Sequence, residues 1–276
     1  MAQADKNKPA DEIIKICTEL HVEDPASIAA AVEERPDNIV TPLMAMGAPD
    51  GLPAPAVEMA VVVTKLWQPG RVLKISFVGM IDPTVEQKIK DYAAQWLQFA
   101  NLKFEFVGSG GDVRIATTPG GSWSYIGTDA KTIPADKPTM NFGWFNATTP
   151  DDEFSRVILH EFGHALGAIH EHQHPEGGIP WDKPKVYAYY ARQGWDKTKV
   201  DQNIFAKYAA DQLNLTSYDK TSIMHYAVPE ALTLGTYSVG WNTVLSANDK
   251  KLARTVYPAS TVTAPADESR APEAVG

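Results

Sequence analysis

Five of the chain's seven histidines lie within the sixteen-residue stretch HEFGHALGAIHEHQHP, which begins at residue 160. Residues four apart share one face of an α-helix, so His160 and His164 can direct both imidazoles at one point. Glu161 lies beside that point, which suits a base that acts on a water molecule. Gly167 permits the turn with positive φ that ends a helix, and His170 can then return to supply a third imidazole.

Three neutral imidazoles with a fourth position open are typical of a catalytic zinc site. A structural zinc site would be closed by four protein ligands. Cysteine cannot provide that closure, because Cys17 is the only cysteine and lies far away in sequence. The spacing therefore predicts one Zn²⁺ per chain and a hydrolytic reaction in which a zinc-bound water is activated by Glu161.

The pattern H-E-x-x-H-x-x-G-x-x-H is the signature of the metzincin zinc endopeptidases, whose second hallmark is a turn that contains methionine. The chain has a candidate for this turn in YDKTSIMHYAVP, residues 218–229. Glu171 and the SIMHY stretch resemble the astacin family in particular. GSWSYIG (121–127) and LSANDKKLARTVYP (245–258) resemble it as well, so that the resemblance covers roughly residues 65–258.

The astacin resemblance implies a role for each matched residue. The zinc ligands would be the three imidazoles, His160, His164 and His170. Glu161 would be the catalytic base and proton shuttle, and Met224 would form an apolar floor under the imidazoles. Tyr226 would be an additional zinc ligand that swings away to hydrogen-bond the developing oxyanion. Glu171 would pair with the new N-terminus of the matured enzyme.

The fold implied is α+β: a metzincin-like zinc protease with a mixed twisted sheet, an active-site helix and a Met-turn, and two sub-lobes flanking a cleft. Local patterns predict its elements independently. A helix over 82–100, opened by Asp82, shows apolar residues three or four apart, and a second helix starts near Asp151. Alternating or β-rich stretches predict strands at 71–79, 103–107, 112–117 and 139–145.

The N-terminal part of the chain carries a different pattern. We predict two short helices within residues 9–35 and a boundary at GAPDGLPAPA (47–56), whose prolines and glycines disfavour regular structure. The chain then divides into an N-terminal segment (1–60), which is a propeptide or linker, a catalytic domain (61–258) and a disordered tail (259–276).

Astacins are commonly made as zymogens, in which a propeptide aspartate occupies the open zinc position. Here MAMGAPDG offers Asp50, without the family's sequence context. Other metzincins use a propeptide cysteine, and Cys17 is a thiol suited to a soft metal site. Asp50, Cys17 and the absence of any switch remain alternatives. With one cysteine, neither of the usual astacin disulfides can form.

Several residues near the motif are candidates for other positions. GSWSYIG is predicted to be an edge strand beside the cleft, where an extended peptide can add itself by main-chain hydrogen bonds. Trp123 and Tyr125 then line the substrate cleft, or are ordinary strand aromatics. His172 and His174 are expected in a solvated loop or in support of the ligands, with a substrate-facing position as the alternative. His225 is expected to point away from the metal.

The composition restricts the partners. With 25 basic and 34 acidic residues the net charge is −9, and no basic run indicates nucleic-acid binding. No stretch is apolar enough to span a membrane. The resemblance implies secretion, although no signal peptide is visible, so non-classical export or a cytoplasmic location stays open. A monomer is expected.

The sequence thus predicts a zinc endopeptidase that hydrolyses internal peptide bonds of proteins or peptides. Two alternatives stand beside it. One is a catalytically silent zinc-containing binding protein, and the other is a delivered effector or toxin protease with a narrow substrate.

Overall fold

Short strands, many of them rich in β-branched residues, assemble into a mixed sheet. The computed structural model describes residue 15 and residues 17–22, 24–40, 62–208 and 217–259. The strands are β1 (Cys17–Leu20), β2 (Ile39–Val40), β3 (Val62–Val63), β4 (Val72–Phe77), β5 (Lys103–Phe106), β6 (Val113–Ala116), β7 (Ser122–Tyr125) and β8 (Met140–Asn141). The main sheet has the order β1-β7-β8-β6-β4-β5, and its neighbours are parallel except β7 and β8. Strands β2 and β3 form a separate antiparallel pair.

The helices are α1 (Pro25–Glu34), α2 (Pro83–Ala93), α3 (Asp151–Ala165), α4 (Lys183–Ala191), α5 (Lys197–Val200) and α6 (Ala247–Val256). Each helix except α3 begins at a side chain that caps it. Asp82 caps α2 by accepting two backbone N–H groups, and Ser246 and Asp249 form a reciprocal capping box on α6. The fold is therefore α+β, and the helices predicted at 82–100 and from Asp151 are confirmed as α2 and α3, with α2 ending at Ala93 and a 3-10 helix continuing from Ala94 to Gln98.

Two apolar clusters adjoin the histidine-rich motif, and the larger includes apolar residues of the motif itself. The larger joins the sheet to α2 and α3, and includes the fully buried Ile75, Ile89 and Ile158. The smaller joins α4 and α5 and contains Tyr226. Burial of each such side chain stabilises the fold by about 1.5–3 kcal/mol relative to exposure. Helix α3 belongs to one cluster and Tyr226 to the other, so the predicted site lies where the two meet.

Two sequence predictions are wrong in part. Residues 17–20 form strand β1 and not a helix, because they pair with β7 in the register Cys17↔Ser122 to Leu20↔Tyr125. The backbone hydrogen bonds of that ladder override the weak local preference. The strand expected over 139–145 is limited to Met140–Asn141. The second N-terminal helix is confirmed as α1, which Asp24 caps.

Residues 17–40 are fastened to the rest of the protein through buried polar contacts. Asp129, which is fully buried, accepts hydrogen bonds from the Val22 N–H (2.9 Å) and the Ser27 hydroxyl, and it forms an ion pair with Lys65 at 3.0 Å. Asn38 donates to the Leu66 carbonyl at 2.8 Å. The N-terminal segment therefore packs against the predicted catalytic domain up to residue 40.

Some predictions fall on parts of the chain that the structure does not describe. Asp50, the boundary at 47–56 and the domain border near residue 60 lie in the interval 41–61, and the tail lies outside the described residues from 260 onward. Across the described residues, no helix combines the length and the apolarity needed to cross a bilayer.

Candidate active site

Helix α3 carries the first two histidines and ends in a way that brings the third beside them. Its acidic first turn, Asp151 to Glu153, complements the helix dipole. At the other end Gly167 has φ +90, and the Ala168 N–H donates to the Gly163 carbonyl at 2.9 Å, which closes a Schellman turn. The chain therefore reverses direction and leads to His170.

The three imidazoles converge through their Nε2 atoms. His164 Nε2 lies 3.1 Å from the Nε2 atoms of both His160 and His170. Ligands at about 2.0–2.1 Å from a tetrahedral zinc ion would be about 3.3 Å apart, which is close to this spacing. Within the described chain, these are the residues that group as potential metal ligands.

The other ring nitrogen of each histidine has an acceptor that fixes the tautomer. His160 Nδ1 donates to the Ile223 carbonyl at 2.8 Å, and His164 Nδ1 donates to the Ala168 carbonyl at 2.9 Å. His170 Nδ1 lies 3.2 Å from the Glu19 carboxylate. Each Nε2 therefore keeps its lone pair for a metal.

Burial favours the neutral imidazoles that metal binding requires. Desolvation, reinforced by the neighbouring histidines, lowers the pKa of His160 well below its usual value. Burial and the neighbouring His170 lower the pKa of His164 to about 3. A neutral ring with its proton on Nδ1 has none on Nε2, so Nε2 can bind a cation.

Glu161 is fully buried, and neither of its carboxylate oxygens has a hydrogen-bond partner among the described residues. Burial raises its pKa to about 8. An unpartnered buried carboxylate is costly unless a ligand satisfies it, so the site fits a metal ion with its water. The donor set of three imidazoles, which is typical of zinc, fits a single ion of this kind.

A turn around Met224 supports the site from below. Asp249 at the start of α6 accepts hydrogen bonds from the Ser222 hydroxyl (2.7 Å) and the Ile223 N–H (2.8 Å). The Met224 sulfur packs under α3 so closely that a Cβ on Gly163 would stand 2.3 Å from it. The Met224 carbonyl accepts from the Glu171 N–H at 3.0 Å, so the turn is tied to the segment that carries His170.

Tyr226 lies over the metal-binding histidines. Its ring is stacked on His172, with the centroids 4.4 Å apart, and lies 4.3 Å from the His170 ring. Its hydroxyl donates to the backbone carbonyl of Cys17. Burial raises the pKa of Tyr226 well above its usual value, so the hydroxyl keeps its proton and remains a donor.

Strand β1 occupies the edge of β7 that was expected to be open to a peptide. The two strands run parallel, and the alternation along β1 turns Cys17 and Glu19 toward the buried side. Trp123 and Tyr125 of β7 are half-buried, with their rings edge to face at 6.0 Å. The prediction that β7 is an edge strand open to a peptide is therefore wrong, because β1 pairs with it.

Cys17 is buried and free. Burial and the nearby Glu161 carboxylate raise the pKa of its thiol well above the usual value. Together with His160 and Tyr226 it lines a cavity of about 10 Å³, roughly the space of one water molecule. Cys17 therefore lies next to the metal-binding histidines, although its sulfur is outside the group of three ligands.

Four more predicted residues have defined surroundings. The Glu171 carboxylate accepts from the Asp219 N–H at 2.7 Å, and burial raises its pKa to about 8. His172 and His174 are buried, so their assignment to a solvated loop is wrong. His225 donates through Nδ1 to the Tyr226 carbonyl at 2.7 Å and therefore points away from the three ligands.

The sequence interpretation missed three residues of the site. Glu19 has no local signal, because its contacts are with residues about 150 positions away. In the sequence, Gly163 is one of the x positions of the H-E-x-x-H motif, and no role was predicted for it. Asp249 could have been found from the Ser-x-x-Asp spacing of a capping box, although its bonds to the Met224 turn could not.

Histidines converging at the end of a helix, beside a buried glutamate and above a methionine turn, define a metzincin-type zinc endopeptidase. The model of the Astacin peptidase family matches residues 60–256. A structure of myroilysin is 51% identical, covers 71% of this chain and 97% of that chain, and has a TM-score of 0.69. A crystal structure of myroilysin is 41% identical, covers 91% of this chain and 94% of that chain, and has a TM-score of 0.60.

High choriolytic enzyme 1, a hatching enzyme zinc-protease from Oryzias latipes (Medaka fish), shares the fold. It is 18% identical, covers 70% of this chain and 94% of that chain, and has a TM-score of 0.50. No curated protein matches the chain in a sequence comparison. The chain belongs to the astacin family, and it is a zinc-dependent endopeptidase. Its substrates are proteins or peptides, and enzymes of this family are typically secreted.

Proposed function

We propose that Glu161 is the catalytic base and proton shuttle of this endopeptidase and that Tyr226 is the hydrogen-bond donor to the scissile carbonyl. The observation that carries the proposal is the pair of unpartnered, buried Glu161 oxygens beside the three convergent imidazoles. The bond from the Tyr226 hydroxyl to a peptide carbonyl in the same place supports the second role.

The residues divide the chemistry between them. His160, His164 and His170 would hold the zinc ion, which when bound supplies a water of pKa about 7 and a charge that polarises the scissile carbonyl. Glu161 accepts the proton of the attacking water and then delivers it to the leaving amine. Tyr226, which would be an additional ligand of the ion, donates a hydrogen bond to the carbonyl oxygen as negative charge develops there. Met224 and Gly167 keep the three imidazoles in position.

Strand β7 is proposed to bind the substrate in an extended conformation. Support comes from β1, which already forms a strand ladder along Ser122–Tyr125. A substrate that replaces β1 would gain the same main-chain hydrogen bonds. Trp123 and Tyr125, half-buried on that strand, would then contact its side chains.

For residues 1–60 we propose a removable inhibitory segment, with 61–258 as the catalytic domain and 259–276 as a tail. Cys17 is the proposed latency ligand, because its buried thiol lies beside Glu161 and its carbonyl engages Tyr226. A thiol that loses its proton on zinc would displace the water that hydrolysis needs. Asp50 and the absence of a switch are the alternatives that the experiment must exclude.

Glu171 is the proposed partner of the amino terminus created by removal of that segment. Its carboxylate is half-buried and its pKa is raised, so a cationic neighbour would stabilise its charged form. It lines a cavity of about 880 Å³ that Thr64 and Leu66 also line. The first residues after the proposed border therefore run beside the space that a new terminus would enter.

We also propose a secreted monomer. The exposed large apolar side chains of the described residues are few and scattered along the chain, from Ile28 to Val244. A scattered distribution of this kind does not favour a stable subunit interface.

Hydrolysis of a quenched peptide by the full-length chain tests the proposal, before and after limited proteolysis within residues 41–61, with zinc content determined throughout. We expect slow hydrolysis by the intact chain and faster hydrolysis after cleavage. Cys17→Ala should raise the rate of the intact chain, whereas Thr18→Ala, on the other face of β1, should not. Equal rates for the two variants would rule out Cys17 as the latency ligand, and inactivity of every zinc-loaded form would rule out the peptidase roles.

A further inference from the structure

The third metal-binding histidine takes its supporting acceptor from the N-terminal segment. His160 and His164 direct Nδ1 to carbonyls of the catalytic domain. His170 Nδ1 instead lies 3.2 Å from Oε2 of Glu19. The same oxygen accepts the His170 backbone N–H at 3.2 Å and lies 3.6 Å from His164 Nδ1.

The Glu19 carboxylate is itself held in place. Its other oxygen, Oε1, accepts a hydrogen bond from the Tyr208 hydroxyl and lies 3.1 Å from His21 Nε2. The side chain is 6% exposed. The pairing Glu19↔Ser124 between β1 and β7 fixes the position of the Glu19 backbone along β7. Glu19 is therefore a fixed carboxylate aimed at a zinc ligand, as metal sites commonly contain.

We propose that Glu19 is a positioning residue for the zinc site, supplied by the N-terminal segment and lost when that segment leaves. The carboxylate fixes the tautomer and orientation of the His170 ring, so zinc binds more tightly while the segment is docked. Because coupling between two binding events is reciprocal, bound zinc in turn strengthens the docking of residues 17–22. The inference rests on His170 as a zinc ligand and is independent of the proposed role of Cys17.

Zinc affinity of the full-length chain, measured by competition with a chromophoric chelator, tests the inference. All proteins carry Cys17→Ala, so the thiol contributes nothing. Glu19→Gln keeps the size of the side chain and removes its charge, and it should lower zinc affinity by about 10–100-fold. An unchanged affinity would overturn the inference.

A matched variant separates the carboxylate from general docking of the segment. Glu34→Gln removes ion pairs with Arg71 (2.9 Å) and Lys131 (3.1 Å) that fasten the same segment elsewhere. It should keep zinc affinity within about threefold, because the carboxylate next to His170 is untouched. A loss equal to that of Glu19→Gln would overturn the inference.

Hydrogen exchange of residues 17–22 supplies a second readout. Zinc should increase the protection of β1 in the Cys17→Ala chain, and Glu19→Gln should abolish most of that increase. An equal zinc-dependent increase in both proteins would contradict the inference. If the Cys17→Ala chain binds no zinc at all, the proposed metal site is wrong. If it binds zinc with an affinity that Glu19→Gln does not change, only the proposed role of Glu19 is wrong.

Discussion

The hydroxyl of Tyr226 donates a hydrogen bond to the backbone carbonyl of Cys17, which lies 209 positions earlier in the chain. Tyr226 is buried and its raised pKa keeps the hydroxyl protonated, so it acts as a donor. A peptide carbonyl thus already accepts from this phenol, beside the histidines and Glu161. If Tyr226 has the proposed role, the N-terminal segment occupies the place of the substrate carbonyl.

Tyr226→Phe should lower kcat of the activated enzyme by about 10²–10³, the range for removal of one oxyanion donor. Zinc content should stay at one ion per chain, because the three imidazoles are untouched. Steady-state hydrolysis of a quenched peptide measures the effect. Tyr187→Phe, which removes a hydroxyl bonded to Asp201, serves as the control and should be close to wild type. Full kcat in Tyr226→Phe would contradict the proposed role.

Glu161→Gln should lower kcat by at least about 10², because proton transfer by a positioned base contributes about 10²–10⁴ in rate. The substitution keeps the shape of the side chain, so zinc should remain bound. Metal analysis together with peptide hydrolysis checks both statements. Glu105→Gln, at an exposed position on β5, should leave both quantities unchanged. Residual activity above a tenth of wild type in Glu161→Gln would count against a base at this position.

Gly163→Ala should lower the free energy of unfolding by about 1–3 kcal/mol, the usual cost of overpacking a core. The added Cβ would stand 2.3 Å from the Met224 sulfur and 3.3 Å from Trp96. Both side chains are buried and have little room to move. Denaturant unfolding measures the change. Gly108→Ala meets no atom within 4 Å and should stay within about 0.5 kcal/mol of wild type.

Asp249→Ala should lower the free energy of unfolding by at least about 2 kcal/mol. It leaves the Ser222 hydroxyl and the Ile223 N–H without their buried acceptor, and each such group costs about 1–3 kcal/mol. Zinc affinity should fall as well, because His160 is held by the Ile223 carbonyl. Asp91→Ala, at an exposed position on α2, is the control and should change neither quantity. Normal zinc affinity in Asp249→Ala would show that the turn does not position His160.

The prediction of the ligands succeeded because its geometry is local. Helical periodicity alone brings His160 and His164 to one face, and the glycine turn after α3 returns His170 within six residues of His164. The amphipathic pattern and the Asp82 cap likewise predicted α2, because cap and periodicity act within one turn of the chain.

The sequence by itself thus determined the three imidazoles, the adjacent glutamate and the main helices, all of which follow from contacts between near neighbours in the chain. Only the tertiary structure decided that residues 17–20 form a strand, that Glu19 lies beside His170, and that Asp249 holds the turn under the site. These contacts join residues from 26 to 151 positions apart. No periodic pattern records such pairings, because they depend on how the sheet and helices pack around one core.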